Sequence, residues 1–165
     1  MVIFDFDLTL VDTGPVEMLR QRRQWRDVMA AASRLQVYDG VHDVIGALHT
    51  AGRPMAILTK SPSMVPEHFV KLHRWPIPTI LGYHQVTQRK PHPEGILLAM
   101  RQAGAVPEEV VHVGDRADDT LAAKAAGVTA IGAAWGLADS SELAASNPDH
   151  LFQTVGELAA FLNSR

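Results

Sequence analysis

Short apolar runs recur along this 165-residue chain: "VIFDF" (2–6), "PMAILT" (54–59), "PTILGY" (78–83), "VVHVG" (110–114) and "VTAIGA" (128–133). Runs so short and so continuously apolar are strands buried on both faces, and strands that alternate with helices pair in parallel. Amphipathic helices read over 39–52, 63–74, 93–104 and 118–127, with a last one over 154–164. Gly52, Gly104 and Gly127 stand where helices should stop. Right-handed crossovers then yield a three-layer α/β/α, Rossmann-like core with a mostly parallel sheet, whose ligand sites lie at the carboxyl ends of the strands. A single domain over residues 1–165 is expected.

Composition narrows the partners. A formal charge of -3 and a pI near 6.2 offer no global attraction for nucleic acid or an anionic membrane. The absence of cysteine removes disulfides, thiolate zinc sites and cysteine nucleophiles. The first residues already form an acid-bearing strand without a basic leader, and no apolar run approaches the ~18 residues of a spanning helix. A cytoplasmic protein is expected, with no membrane partner and with nucleic acid disfavoured.

The polar residues at strand ends carry the chemistry. In "VIFDFDLTLVDT" (2–13), Asp5 and Asp7 point the same way from an extended segment that closes with Thr9. Buried carboxylates are costly unless paired or bound to a cation. Thr59 ends the next strand, followed by Lys60 and Ser61. Lys90 in "QRKPHPEG" is fixed before a helix by Pro91, and "VGDRADD" (113–119) forms a glycine-acid turn carrying Asp115 and Asp119. Each feature alone reads as a turn, a cap or a solvated lysine. Acid, hydroxyl, lysine and acid at successive ends of one parallel sheet read together as a site.

From Val2 to about Leu162 the chain resembles the haloacid dehalogenase superfamily of phosphotransferases, with "DFDLT" as its first motif and "GDRADD" as its fourth. The "KPHPEG" lysine-proline pair and the late "AWG" (134–136) strengthen the likeness, and within the superfamily the chain is similar to the phosphoglycolate phosphatase group. The resemblance implies that Asp5 is a nucleophile forming a phospho-aspartate and Asp7 the acid that protonates the leaving oxygen and then activates water. It implies phosphate binding by Thr59, Lys60 and Lys90, helped by backbone N–H groups near Asp7, Leu8 and Lys60. It implies a Mg²⁺ cofactor held by Asp5, Asp115, the backbone carbonyl of Asp7 and, peripherally, Asp119. Elementary chemistry agrees: a hard cation suits carboxylate oxygens and offsets the repulsion between an anionic nucleophile and a phosphate, and a positioned acid assists departure of the ester oxygen. Asp7 points away from carbon–halogen cleavage. Leu8 stands where many relatives carry glycine.

Relatives of the phosphoglycolate type carry a multi-helix cap where this chain has only Thr13–Val37, "TGPVEMLRQRRQWRDVMAAASRLQV". The periodicity predicts one long helix there, with Pro15 in its first turn. A cap so reduced implies an open site, or one roofed by a second subunit, with the oligomeric state open; it disfavours a phosphomutase, and the missing cysteines disfavour zinc-loop phosphatases. On that single helix Met18, Arg22, Trp25 or Arg26, and Met29 share a stripe, so Arg22 or Arg26 is expected to reach the leaving group while Arg20 and Arg23 point elsewhere. Of the eight histidines, His92 beside Lys90 is the candidate substrate contact and His112 a satisfied core residue. The expected function is phosphomonoester hydrolysis of a small phosphorylated metabolite. The alternatives are a polynucleotide or protein phosphatase using the open site, and a non-catalytic phosphate-binding or regulatory module.

Overall fold

The computed structural model describes residues 1–164. Strands Val2–Phe4 (β1), Met55–Leu58 (β2), Thr79–Leu81 (β3), Val111–Gly114 (β4), Thr129–Ala133 (β5) and His150–Phe152 (β6) form one sheet in the order β3-β2-β1-β4-β5-β6. Every neighbouring pair is parallel. The acidic strand β1 lies centrally, between β2 and β4, and its carboxyl end is the point where the strand order reverses, the position at which such sheets bind ligands.

Alternation of side chains along each strand divides the core into two layers. Val2, Phe4, Met55, Ile57, Val111 and Val113 face one way and pack with helices Val41–Thr50 (α3), Met64–His73 (α4) and Val155–Asn163 (α8). Ile3, Ala56, Leu58 and Ala130 face the other way and pack against Glu94–Ala103 (α5) and Ala117–Ala126 (α6). The short helix Ser141–Ala145 (α7) and edge strand β6 were not visible as elements in the sequence pattern.

The insert departs from expectation. It is not one helix but a 3-10 turn, Gly14–Val16, two short helices, Glu17–Gln21 (α1) and Trp25–Ala31 (α2), and a second 3-10 turn, Ala32–Arg34. The chain turns at Arg23, whose φ of 56° is left-handed. Closure of the insert explains the break. Val11 bridges Val37 in antiparallel fashion, Asp12 N donates to the Gln36 carbonyl at 2.8 Å and Tyr38 N to the Leu10 carbonyl at 3.2 Å. A straight helix over the insert would separate its ends by roughly 37 Å at ~1.5 Å per residue, so ends pinned side by side require a fold-back. Val28 and Ala31 of α2 are buried in the core as a result. Among the described residues no helix is long and apolar enough to cross a membrane.

Candidate active site

The site begins with the way the chain leaves β1. The Phe6 carbonyl accepts from Leu10 N at 3.0 Å and Leu8 N donates to the Val11 carbonyl at 2.9 Å, a tight turn that puts Leu8 at φ 57°. That left-handed backbone is easiest for glycine, which accounts for the unusual look of leucine at this place. Asp5 and Asp7 sit at the entrance and exit of the strand end, both buried. Gly136 lets the later chain close over the turn: a Cβ there would meet the Leu8 carbonyl at 2.4 Å. Trp135 Nε1 donates to the Thr9 carbonyl at 3.0 Å, tying the "AWG" segment to the same turn.

Lys90 is the hub. Its ammonium is buried, lies 2.7 Å from Asp5 Oδ1, donates to the Leu58 carbonyl at 3.0 Å and pairs with Asp119 Oδ1. Burial alone would lower the lysine pKa, but Asp119 and Asp5 outweigh it and hold it above its ordinary value. The Lys90–Pro91 peptide is cis. Beyond Lys90, Asp119 Oδ1 lies 3.1 Å from His112 Nε2, and its Oδ2 accepts from Arg116 N at 3.1 Å. Burial would raise this carboxyl, but Lys90 and His112 bring it below the ordinary range. His112 Nδ1 in turn lies 3.1 Å from the Ile3 carbonyl, so the residue is partnered on both nitrogens, as expected of a satisfied core histidine. Gly114 makes room for this arrangement, since a Cβ there would fall 2.2 Å from Asp119 Cγ.

Asp5 and Asp115 have the opposite electrostatics. Burial raises the pKa of Asp5, with Asp119 and Asp7 adding to the effect and Lys90 opposing it. Burial, then the charges of Asp5 and Asp119, push Asp115 up to about 8. Thr9 Oγ1 donates to Asp115 Oδ1 at 3.4 Å. Oxygens of Asp5, Asp115 and Asp119 lie within 4.8 Å of one another. This all-oxygen set with two charge-strained carboxyls fits a hard divalent cation such as Mg²⁺; Asp5 already pairs with Lys90 through Oδ1, and Asp115 forms no ion pair among the described residues.

Asp7 is anchored through one oxygen. Its Oδ2 accepts from Ser61 Oγ at 2.9 Å and Thr59 Oγ1 at 3.4 Å and lies 2.7 Å from Arg20 Nη2, while its buried Oδ1 has no protein partner. Thr59 is itself locked by Ser61 N, which donates to its hydroxyl at 3.1 Å. Arg20 is held by Glu17 at 2.6 Å and donates to Thr13 Oγ1 at 3.4 Å.

A cleft of about 300 Å³ is lined by Asp5, Asp7, Thr59, Lys60, Lys90, Asp115 and Asp119, so the residues expected at successive strand ends converge. Lys60 sits at its exposed rim and pairs with Asp118. The expected substrate contacts do not converge. Arg22 and Arg26 are exposed and line neither this cleft nor the pocket beside it, because the fold-back at Arg23 rotates the predicted stripe away. Arg20 is the arginine of the insert that lines the cleft, paired there with Asp7. His92 is exposed, its Nδ1 accepting from Glu94 N at 3.2 Å in a helix-start turn rather than reaching the cleft. Ser61 and Arg20 were not recognised as site residues in the sequence. Ser61 was detectable as a hydroxyl two residues past Thr59; Arg20 was not, since its orientation depends on the break in the insert.

Comparison with known proteins agrees with this geometry. The haloacid dehalogenase-like hydrolase family matches residues 15–133. The chain is 30% identical over 125 residues to phosphoglycolate phosphatase of Salmonella typhimurium, covering 74% of this chain and 49% of that protein. It is 29% identical to the Escherichia coli K12 enzyme over the same share of each. The chain therefore spans about half the length of the curated relatives it matches. Among solved structures, a hydrolase from Pseudomonas syringae superposes with a TM-score of 0.81 at 19% identity, over 99% of this chain and 97% of that one. CbbY from Rhodobacter sphaeroides, in complex with phosphate, does so with a TM-score of 0.78 at 19% identity, over 95% of each. With its sheet order, its strand-end acids and this match over most of its length, the chain belongs to the haloacid dehalogenase-like hydrolase family.

Proposed function

We propose that the protein is a Mg²⁺-dependent phosphomonoester hydrolase that works through a phosphorylated Asp5 and acts on a small phosphorylated metabolite, as its phosphoglycolate phosphatase relatives do by name. The observation that carries the reading is the buried Lys90 ammonium between Asp5 and Asp119, with Thr59 and Asp115 opening onto the same cleft.

Asp5 is the nucleophile: a carboxylate oxygen forms the new bond to phosphorus as the bond to the ester oxygen breaks. Asp7 delivers the proton that the leaving oxygen needs, then withdraws one from the water that attacks the phospho-aspartate and frees inorganic phosphate. Ser61, Thr59 and Arg20 fix Asp7 through Oδ2 and leave Oδ1 directed without a competing partner. Lys90 and Lys60 hold the phosphoryl oxygens, joined by the Thr59 hydroxyl once its single proton turns from Asp7 Oδ2 to the phosphate, and Lys90 neutralises the charge that develops on them. Asp119, backed by His112, acts as a positioning residue for Lys90 and sits at the edge of the metal set. Asp5, Asp115 and the Asp7 carbonyl would hold Mg²⁺, whose charge would offset the repulsion between carboxylate and phosphate.

The test is hydrolysis of p-nitrophenyl phosphate. Turnover is expected with Mg²⁺ and lost in EDTA, and Asp5→Asn should lower it by several factors of ten at about 1.4 kcal/mol each. Substantial activity in freshly purified Asp5→Asn protein overturns the covalent route, and equal activity with and without chelator overturns the metal.

A further inference from the structure

Beside the site, and sharing Arg20 and Lys60 with it, lies a second cleft of about 270 Å³ lined by Arg20, Arg23, Trp25, Lys60, Tyr83 and His84. It is built from three separate pieces of chain: the insert, the loop after β2 and the loop after β3. Resting on the hydrolase reading above, we propose that this cleft is the leaving-group subsite and that the physiological substrate is a phosphomonoester whose leaving group is ring-sized and carries a second anion.

Charge is the first reason. Three cations line the cleft and no carboxylate does. Arg20 is already balanced by Asp7 and Glu17, and Lys60 by Asp118. Arg23 forms no ion pair among the described residues, and outside the lining the Arg89 guanidinium stacks on the Tyr83 ring 3.5 Å from its centroid. An anion entering here therefore meets positive charge that the protein does not itself neutralise. Backbone conformation is the second. Arg23 occupies the left-handed turn between α1 and α2, where glycine or asparagine fits more easily, so the turn presents a guanidinium at a conformational cost. Size is the third. The first cleft, about 300 Å³, lies at the lower limit of small-molecule sites, roughly 300 Å³, and has to take the phosphoryl group. A ring-sized leaving group in addition extends past Arg20 into the second cleft, where Trp25, Tyr83 and His84 offer flat walls for it.

The experiment compares kcat/KM for glucose 6-phosphate, glucose 1,6-bisphosphate and 6-phosphogluconate, with p-nitrophenyl phosphate reporting on hydrolysis itself. At least one of the two anion-bearing esters is expected to exceed glucose 6-phosphate about tenfold or more, the phosphate and carboxylate arms identifying the anion. Arg23→Ala and Arg23→Gln should each reduce that advantage by about tenfold to a hundredfold, as loss of one charge-assisted hydrogen bond does. Arg22→Ala, one residue away and outside the cleft, should leave the ratio within twofold. Equal turnover of the three sugar esters overturns the subsite, as does a ratio that Arg23 substitutions leave intact or that Arg22→Ala alters as strongly. Absence of p-nitrophenyl phosphate hydrolysis overturns the hydrolase reading instead.

Discussion

Replacing Asp115 by asparagine tests the electrostatic strain in the acidic cluster without touching its shape. In the unfolded chain this carboxyl titrates near its ordinary 3.8, whereas burial and the neighbouring charges of Asp5 and Asp119 push it up to about 8 in the fold. A group whose folded pKa lies above its unfolded one lends stability in full below the unfolded value and loses it as pH rises toward the folded value. Between pH 5 and pH 7 the unfolded chain has released this proton while the folded chain retains it. Metal-free wild type should therefore lose up to about 1.4 kcal/mol per pH unit from this source, roughly 3 kcal/mol across the interval. At ~2–4 °C per kcal/mol for a chain of this size, that is about 6–12 °C in Tm. The asparagine side chain cannot titrate, so the Tm gap between the Asp115→Asn variant and wild type should open by this amount, in the variant's favour, as pH rises through the interval. Mg²⁺ should reverse the order, because it binds the ionised carboxylates and stabilises only the fold that holds them. Its Tm shift should grow with pH in wild type and be small in Asp115→Asn. Thermal melts of both proteins in EDTA and in excess Mg²⁺ give all four curves. Parallel wild-type and variant profiles in EDTA would refute the strain argument.

Lys90→Met removes the cation that two buried carboxylates share, and breaking a buried pair in this way costs about 3–5 kcal/mol; a urea midpoint unchanged from wild type would contradict its role as hub. Gly114→Ala inserts a methyl 2.2 Å from Asp119 Cγ, so Asp119 must move. The variant should lose about 1–3 kcal/mol in chemical denaturation, and p-nitrophenyl phosphate turnover should fall more than metal affinity if Asp119 positions Lys90 rather than the metal.

Much of the site was legible because parallel α/β topology makes strand ends converge. Once "VIFDF", "PMAILT" and "VVHVG" read as neighbouring strands, Asp5, Thr59 and Asp115 had to open onto one edge, and Lys90, preceding its helix, had to face the same edge. No detailed packing was needed, only the order of elements and the rule that crossovers share one hand. The first and fourth motifs also carried the family likeness by themselves.

The insert and the fine division of labour were decided in three dimensions. Its apolar stripe has helical periodicity throughout, and nothing at Arg23 announces a break, since arginine is a good helix former. The fold-back arises because Val11 and Val37 pair and the ends must meet, a constraint between residues far apart in sequence. That one turn moves Arg22 and Arg26 to solvent and brings Arg20 onto Asp7. Asp119 reads from its motif as a peripheral metal ligand, and what the motif does not show is that its oxygens also meet Lys90, His112 and a backbone N–H. Residue types and spacing thus determined five of the six strands, the edge that gathers the polar residues and the chemical classes found there. Which carboxylates face the lysine and which arginine reaches the strand-end acids depended on tertiary contacts, because side-chain direction follows from where the chain bends and what it must pack against.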